Sequence, residues 1–129
     1  MNPIIINHFS RRKEFIQMLA ERGVKIGVEI GTDRGQYAEQ LHKGIPEMEL
    51  YCIDPWIAYT EGDKTYTREQ VDEFYKEAKK RLGAYELHQK VRFIRRTSID
   101  ALQFFDDNIL DFVFIDANHE YEHVLEDIT

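Results

Sequence analysis

The residues best suited to chemistry in this 129-residue chain gather in four short segments: Glu29–Gly35, Asp54–Trp56, Thr97–Asp100 and Asp116–His119. In the first, Val28-Glu29-Ile30-Gly31-Thr32-Asp33-Arg34-Gly35, Gly31 lets the chain turn sharply without a side chain in the way. Gly35 lets the next helix start close to the strand or to a ligand. A dinucleotide fingerprint would read Gly-x-Gly-x-x-Gly, yet Asp33 and Gln36 stand at its second and third glycine positions. Asp33 also puts negative charge where a pyrophosphate would meet backbone N–H groups. The turn therefore suits a ligand with a cationic centre, an ammonium or a sulfonium. A plain turn that uses glycine for its geometry explains the same residues equally well.

Asp54 can accept hydrogen bonds from both hydroxyls of a ribose, or cap the turn at Pro55. Pro55 or Trp56 can flank an adenine, and Trp56 can equally pack against a sheet. Thr97 and Ser98 can cap the following helix, with Asp100 at near-capping-box spacing, or contact an adenine amino group. Asp116 can orient an acceptor, hold a metal ion or act as a base. His119 has a near-neutral reference pKa and can take a proton from an acceptor hydroxyl. The alternative for His119 and Asn118 is a helix-start cluster.

One competing pattern is present. His119-Glu120-Tyr121-Glu122-His123 matches His-Glu-x-x-His, in which two histidines four apart bind zinc and the glutamate activates water. Against a zinc hydrolase, the motif starts in the first turn after a buried strand, and little chain follows to supply a third ligand. Tyr121, Val124 and Leu125 also define a core-facing stripe that turns the histidines aside. No metal ligand is assigned on this basis.

The elements that must position these segments alternate. Phe15, Ile16, Leu19 and Ala20 predict a helix ended by Gly23. Lys25–Ile30, Glu49–Ile53, Val91–Ile94 and Leu110–Ile115 predict four strands. Gln36–Leu41 predicts a helix, whereas Trp56–Tyr66 has no apolar period and reads as a loop. Thr67 and Gln70 have capping-box spacing before a stripe of Val71, Phe74, Tyr75, Ala78 and Leu82, with Gly83 as the stop. A short helix carries Ile99, Leu102 and Phe105, and Tyr121, Val124, Leu125 and Ile128 predict a last one. Alternating strands and helices imply right-handed βαβ units, hence a doubly wound α/β fold with a mostly parallel sheet and helices on both faces. Ligands of such sheets bind at the carboxyl ends of the strands, where all four segments fall. Residues 1–23 form an N-terminal helical segment and 24–129 the Rossmann-like domain.

Composition narrows the function classes. An apolar fraction of 43% supports a real core, and a net charge of −7 opposes sequence-independent nucleic-acid binding. The single cysteine, Cys52, excludes an internal disulfide and a cysteine-rich zinc module. No signal-peptide pattern is present, and Ile4–Ile6 is far too short to span a bilayer. A cytoplasmic protein without membrane partners is expected.

With these residues in place, the chain resembles the class I S-adenosylmethionine-dependent methyltransferases, closest to a small-molecule O-methyltransferase-like group. "VEIGTDRG", "YCIDPW", "RFIRRTSIDAL" and "LDFVFIDANHEY" look like the family's first to fourth motifs, in order. The resemblance implies that Gly31 and Gly35 line the methionine end of S-adenosylmethionine, that Thr32 is among the cofactor-binding residues, and that Glu29 helps place the amino group directly or through water. It implies that Asp54 holds the ribose, with Pro55 and Trp56 among the cofactor-binding residues, that Thr97 or Ser98 approaches the adenine, and that Asp116 lies near the transferable methyl; Asp116 and His119 are the candidate catalytic residues. It admits a divalent metal and a small-molecule acceptor, or a noncatalytic adenosine-binding module that keeps only the fold. The family fold has seven strands, and four are legible here. The expectation is thus an incomplete fold, a fragment or a short form. Its fourth strand would be an open edge that a second copy of the chain covers, giving a homo-oligomer.

Overall fold

The computed structural model describes residues 4–6, 12–97, 100–101, 103, 105 and 109–115. Along them run β1 (Ile4–Ile6), α1 (Arg12–Glu21), β2 (Ile26–Ile30), α2 (Gln36–Gly44), β3 (Glu49–Ile53), β4 (Tyr59–Glu61), β5 (Lys64–Tyr66), α3 (Arg68–Arg81), α4 (Gly83–Leu87), β6 (Val91–Ile94) and β7 (Phe112–Ile115). Five strands form one sheet in the order β1-β7-β2-β3-β6, and every pairing in it is parallel. The doubly wound α/β reading holds.

The topology follows from crossover handedness. From β2 the chain steps to β3 and then to β6 in one direction, and from β6 it returns past them to β7. Right-handed crossovers put connections made in opposite directions on opposite faces of a sheet. The side chains obey. Leu19 of α1, Tyr37 and Leu41 of α2 and Leu82 beside α3 pack with Leu50, Cys52, Phe112 and Phe114 on one face. On the other face Val28, Ile30, Ile53, Val113 and Ile115 meet Ala101, Phe105 and Leu110 from the return connection. Strand order therefore reverses beside β2, which makes the carboxyl ends of β2 and its neighbours the place for a ligand.

Local signals account for most elements. Gly23, at φ 65°, closes α1 through its amide on the Ala20 carbonyl. At α3, Thr67 Oγ1 accepts from the Gln70 amide at 3.2 Å while Gln70 Oε1 accepts from the Thr67 amide at 2.8 Å, a reciprocal capping box. Asp111 Oδ2 accepts from the amides of Lys25 and Ile26 and so ties the start of β2 to the start of β7.

Three expectations are corrected. Segment 56–66 is not a plain loop: β4 and β5 form an antiparallel hairpin across Gly62, with Tyr59 stacked on Tyr66 at 4.8 Å. Gly83 ends α3 but also opens α4, because Leu82 already serves as the cap between them. The fourth predicted strand, here β7, is not an open edge. β1 pairs along it with Ile4 opposite Phe112 and Ile6 opposite Phe114, so its backbone hydrogen bonds are met within the chain. The argument for a second copy covering that edge falls with it.

Candidate functional site

The end of β2 is shaped by left-handed residues. Gly31 (φ 92°) donates its amide to the Ile53 carbonyl at 2.8 Å, carrying the β2–β3 ladder one residue past the strand. Thr32 is buried, and its hydroxyl makes no hydrogen bond of good geometry among the described residues, its interaction with the Cys52 thiol being a loose one. Asp33 is exposed with φ 53°, a costly conformation for a residue with a side chain. Gly35 (φ 79°) starts α2, and a Cβ there would stand 3.2 Å from Ala78 Cα and 3.2 Å from Leu82 Cδ1. Its missing side chain therefore makes room for α3.

Asp54 lies half-buried at the end of β3 and joins the two loops. Its Oδ2 accepts from the Asp33 amide at 2.8 Å and its Oδ1 from the Trp56 amide at 2.8 Å. Trp56 returns the connection, its indole Nε1–H donating to the Asp33 carbonyl at 2.9 Å. The Trp56 ring is 1% exposed and packs against Tyr75 with centroids 4.6 Å apart. The Phe93 ring of β6 lies 6.2 Å away on another side, so the indole is enclosed by its neighbours. Pro55 beside it stays half-buried.

Arg95, just past β6, is the member that sequence reasoning passed over. Nothing in a lone arginine's type or spacing shows what it reaches. Its Nη2 donates to the Trp56 carbonyl at 3.1 Å and to Asp72 Oδ1 of α3 at 2.7 Å, and its guanidinium lies over the Tyr75 ring at 4.9 Å. Two residues on, Thr97 takes up the capping role: its Oγ1 accepts from the Asp100 amide at 3.3 Å and its carbonyl from the Ala101 amide at 2.9 Å.

Glu29 sits one residue inside β2, 1% exposed, in register with Cys52 and Phe114. Burial first, then the Glu29 carboxylate, pushes the Cys52 thiol well up, while the nearby Thr32 hydroxyl pulls weakly the other way. A neutral, buried thiol of this kind is inert. Glu29, Gly31, Thr32, Asp54 and Pro55 thus come together at one end of the sheet, with Thr97 following the neighbouring β6. Ser98, Asp116, His119 and the second histidine of the zinc-like motif, His123, lie outside the described residues. Among the described residues no group of three or more histidine, cysteine, aspartate or glutamate side chains can hold a metal ion. No helix among them is long and apolar enough to cross a membrane. A separate cavity of about 450 Å³ lies along α3, lined by Arg34, Glu73, Phe74, Lys76, Glu77 and Lys80.

A family model described as a methyltransferase domain matches residues 28–129. Among solved structures, a candidate caffeoyl-CoA O-methyltransferase from Staphylococcus aureus superposes with a TM-score of 0.67 at 20% identity, over 96% of this chain and 54% of that one. The O-methyltransferase TomG from Streptomyces achromogenes, involved in tomaymycin synthesis and solved with S-adenosylmethionine, gives 0.62 at 22% identity, covering 95% and 52%. The S-adenosylhomocysteine-bound methyltransferase PaMTH1 of Podospora anserina gives 0.62 at 18% identity, covering 94% and 48%. At such identities the likeness concerns the fold, and the chain spans about half the length of these proteins. No curated protein sequence matches it.

Proposed function

The chain belongs to the methyltransferase-domain family, and from that premise we propose that it binds S-adenosylmethionine across the carboxyl ends of β2, β3 and β6 and serves methyl transfer to a small-molecule acceptor, an oxygen nucleophile. The observation that carries this reading is the Asp54 carboxylate, fixed by the amides of Asp33 and Trp56. An ionised carboxylate has about four acceptor positions, so two amide bonds orient it and remain compatible with donation from ribose hydroxyls. The acids around it, Glu29 and Asp33, and the buried Thr32 hydroxyl fit a cofactor that carries an ammonium and a sulfonium.

When bound, S-adenosylmethionine supplies an electrophilic methyl group on a positively charged sulfur. The chain's contribution is alignment and exclusion of water. Gly31 turns the backbone away so that the methionine end can approach, and Glu29 places its amino group directly or through water. Pro55 offers its half-buried ring to the adenine, with Thr97 or Ser98 at the amino edge. Asp116 orients the acceptor, with a divalent metal there as one means of doing so, and His119 takes the proton that the acceptor hydroxyl loses. A cytoplasmic setting fits the single buried cysteine.

Calorimetric titration with S-adenosylhomocysteine and, separately, with NAD tests the cofactor assignment. Saturable binding of the first and none of the second is expected. Asp54→Ala is expected to weaken S-adenosylhomocysteine at least tenfold, about 1.4 kcal/mol. Unchanged binding would remove the ribose assignment.

A further inference from the structure

Resting on that cofactor reading, we infer that Arg95 is a positioning residue that sets the cofactor-binding carboxylate of Asp54 by holding Trp56 in its left-handed conformation. Trp56 has φ 46°, a region that a bulky side chain adopts only when its surroundings hold it there. It is also buried, so each of its polar groups needs a partner. All three have one. The amide donates to Asp54 Oδ1, the indole Nε1–H donates to the Asp33 carbonyl, and the carbonyl accepts from Arg95 Nη2. The first two bonds stay within the pair of loops that they join. The Arg95 bond comes from a third strand end, and Asp72 Oδ1 at 2.7 Å and the Tyr75 ring beneath orient the guanidinium that makes it.

The chemistry calls for arginine. One planar fork serves a carbonyl, a carboxylate and an aromatic face together, whereas a lysine ammonium is a point charge that cannot lie flat on Tyr75 while donating along two fixed directions. Without the guanidinium the Trp56 carbonyl loses a charged donor, and its peptide is free to leave the left-handed region. Rotation there removes the amide from Asp54 Oδ1 and releases the carboxylate on one side. The effect on the cofactor is therefore transmitted through Asp54 and requires no contact between Arg95 and the ligand.

Trp56 is the chain's one tryptophan, so its emission reports this peptide alone. Arg95→Gln and the milder Arg95→Lys are compared with the parent chain for acrylamide quenching of Trp56, for the thermal midpoint and for S-adenosylhomocysteine affinity. The expected result is increased quenching and about tenfold weaker binding in Arg95→Gln, a smaller loss in Arg95→Lys, and a thermal midpoint close to the parent's in Arg95→Lys. In an Asp54→Asn background, Arg95→Gln is expected to add little further loss, because both act on one carboxylate. Parent-like binding in Arg95→Gln, or losses that multiply in the double variant, would overturn the inference. A parent chain that fails to bind S-adenosylhomocysteine would instead overturn the cofactor reading on which it rests.

Discussion

His42 carries the clearest consequence of burial at the scale of one residue. It lies fully buried in α2, stacked on Tyr85 at 4.5 Å, and neither ring nitrogen makes a hydrogen bond of good geometry among the described residues. Burial lowers its pKa from 6.5 to about 4, against a smaller opposing contribution from the Lys90 backbone. The unfolded chain therefore binds a proton in a pH range where the folded chain does not. Stability is unaffected above the unfolded value and falls as pH drops from about 6.5 towards 4, with a loss of about 2 kcal/mol between about pH 7 and about pH 5. Urea denaturation at those two pH values measures it, and His42→Phe, which preserves the stack, is expected to flatten the difference. At this scale Asp54 was identifiable from its type and its place after an apolar run. The roles of Trp56 and Arg95 were not, because both depend on atoms brought from distant parts of the chain.

Among the elements, α3 does most to hold the site. It packs Ala78 against Gly35, stands Tyr75 against Trp56 and presents Asp72 to Arg95. Gly35→Ala should test the first of these contacts. A Cβ would meet the backbone of Ala78 at 3.2 Å, and alanine disfavours φ 79°. A loss of about 1–3 kcal/mol in chemical denaturation is expected, larger than for an exposed glycine with room around it. The existence of α3 was legible because its capping box and its apolar stripe at helical spacing agree. The hairpin of β4 and β5 was not, since its strands are three residues each and place exposed Thr60, Lys64 and Thr65 where an apolar alternation would have marked a strand. Tyr59 stacks on Tyr66 within the hairpin, and the further contact of Tyr66 with Phe74 forms only when α3 is beside it.

For the molecule as a whole, β1 changes what the sheet exposes. By pairing with β7 it covers the backbone of a strand whose residues Phe112–Ile115 are all buried. Removing residues 1–10 should uncover that edge and raise the apparent mass in sedimentation through edge-to-edge pairing; a mass tracking the shortened chain alone would show that the edge is protected in another way. Three isoleucines in a row contain no periodicity from which a strand could be told, and their partner lies at the far end of the described chain. The four strand runs, the glycine turn after the first and the acid after the second follow from sequence alone, because apolar runs, φ-positive turns and capping patterns are local properties of a few neighbouring residues. The tertiary structure decided what they are for. It brought Arg95 onto the Trp56 carbonyl, turned Gly35 towards α3 and laid β1 along β7, since each of these contacts joins segments far apart in the chain and exists only once the sheet has formed.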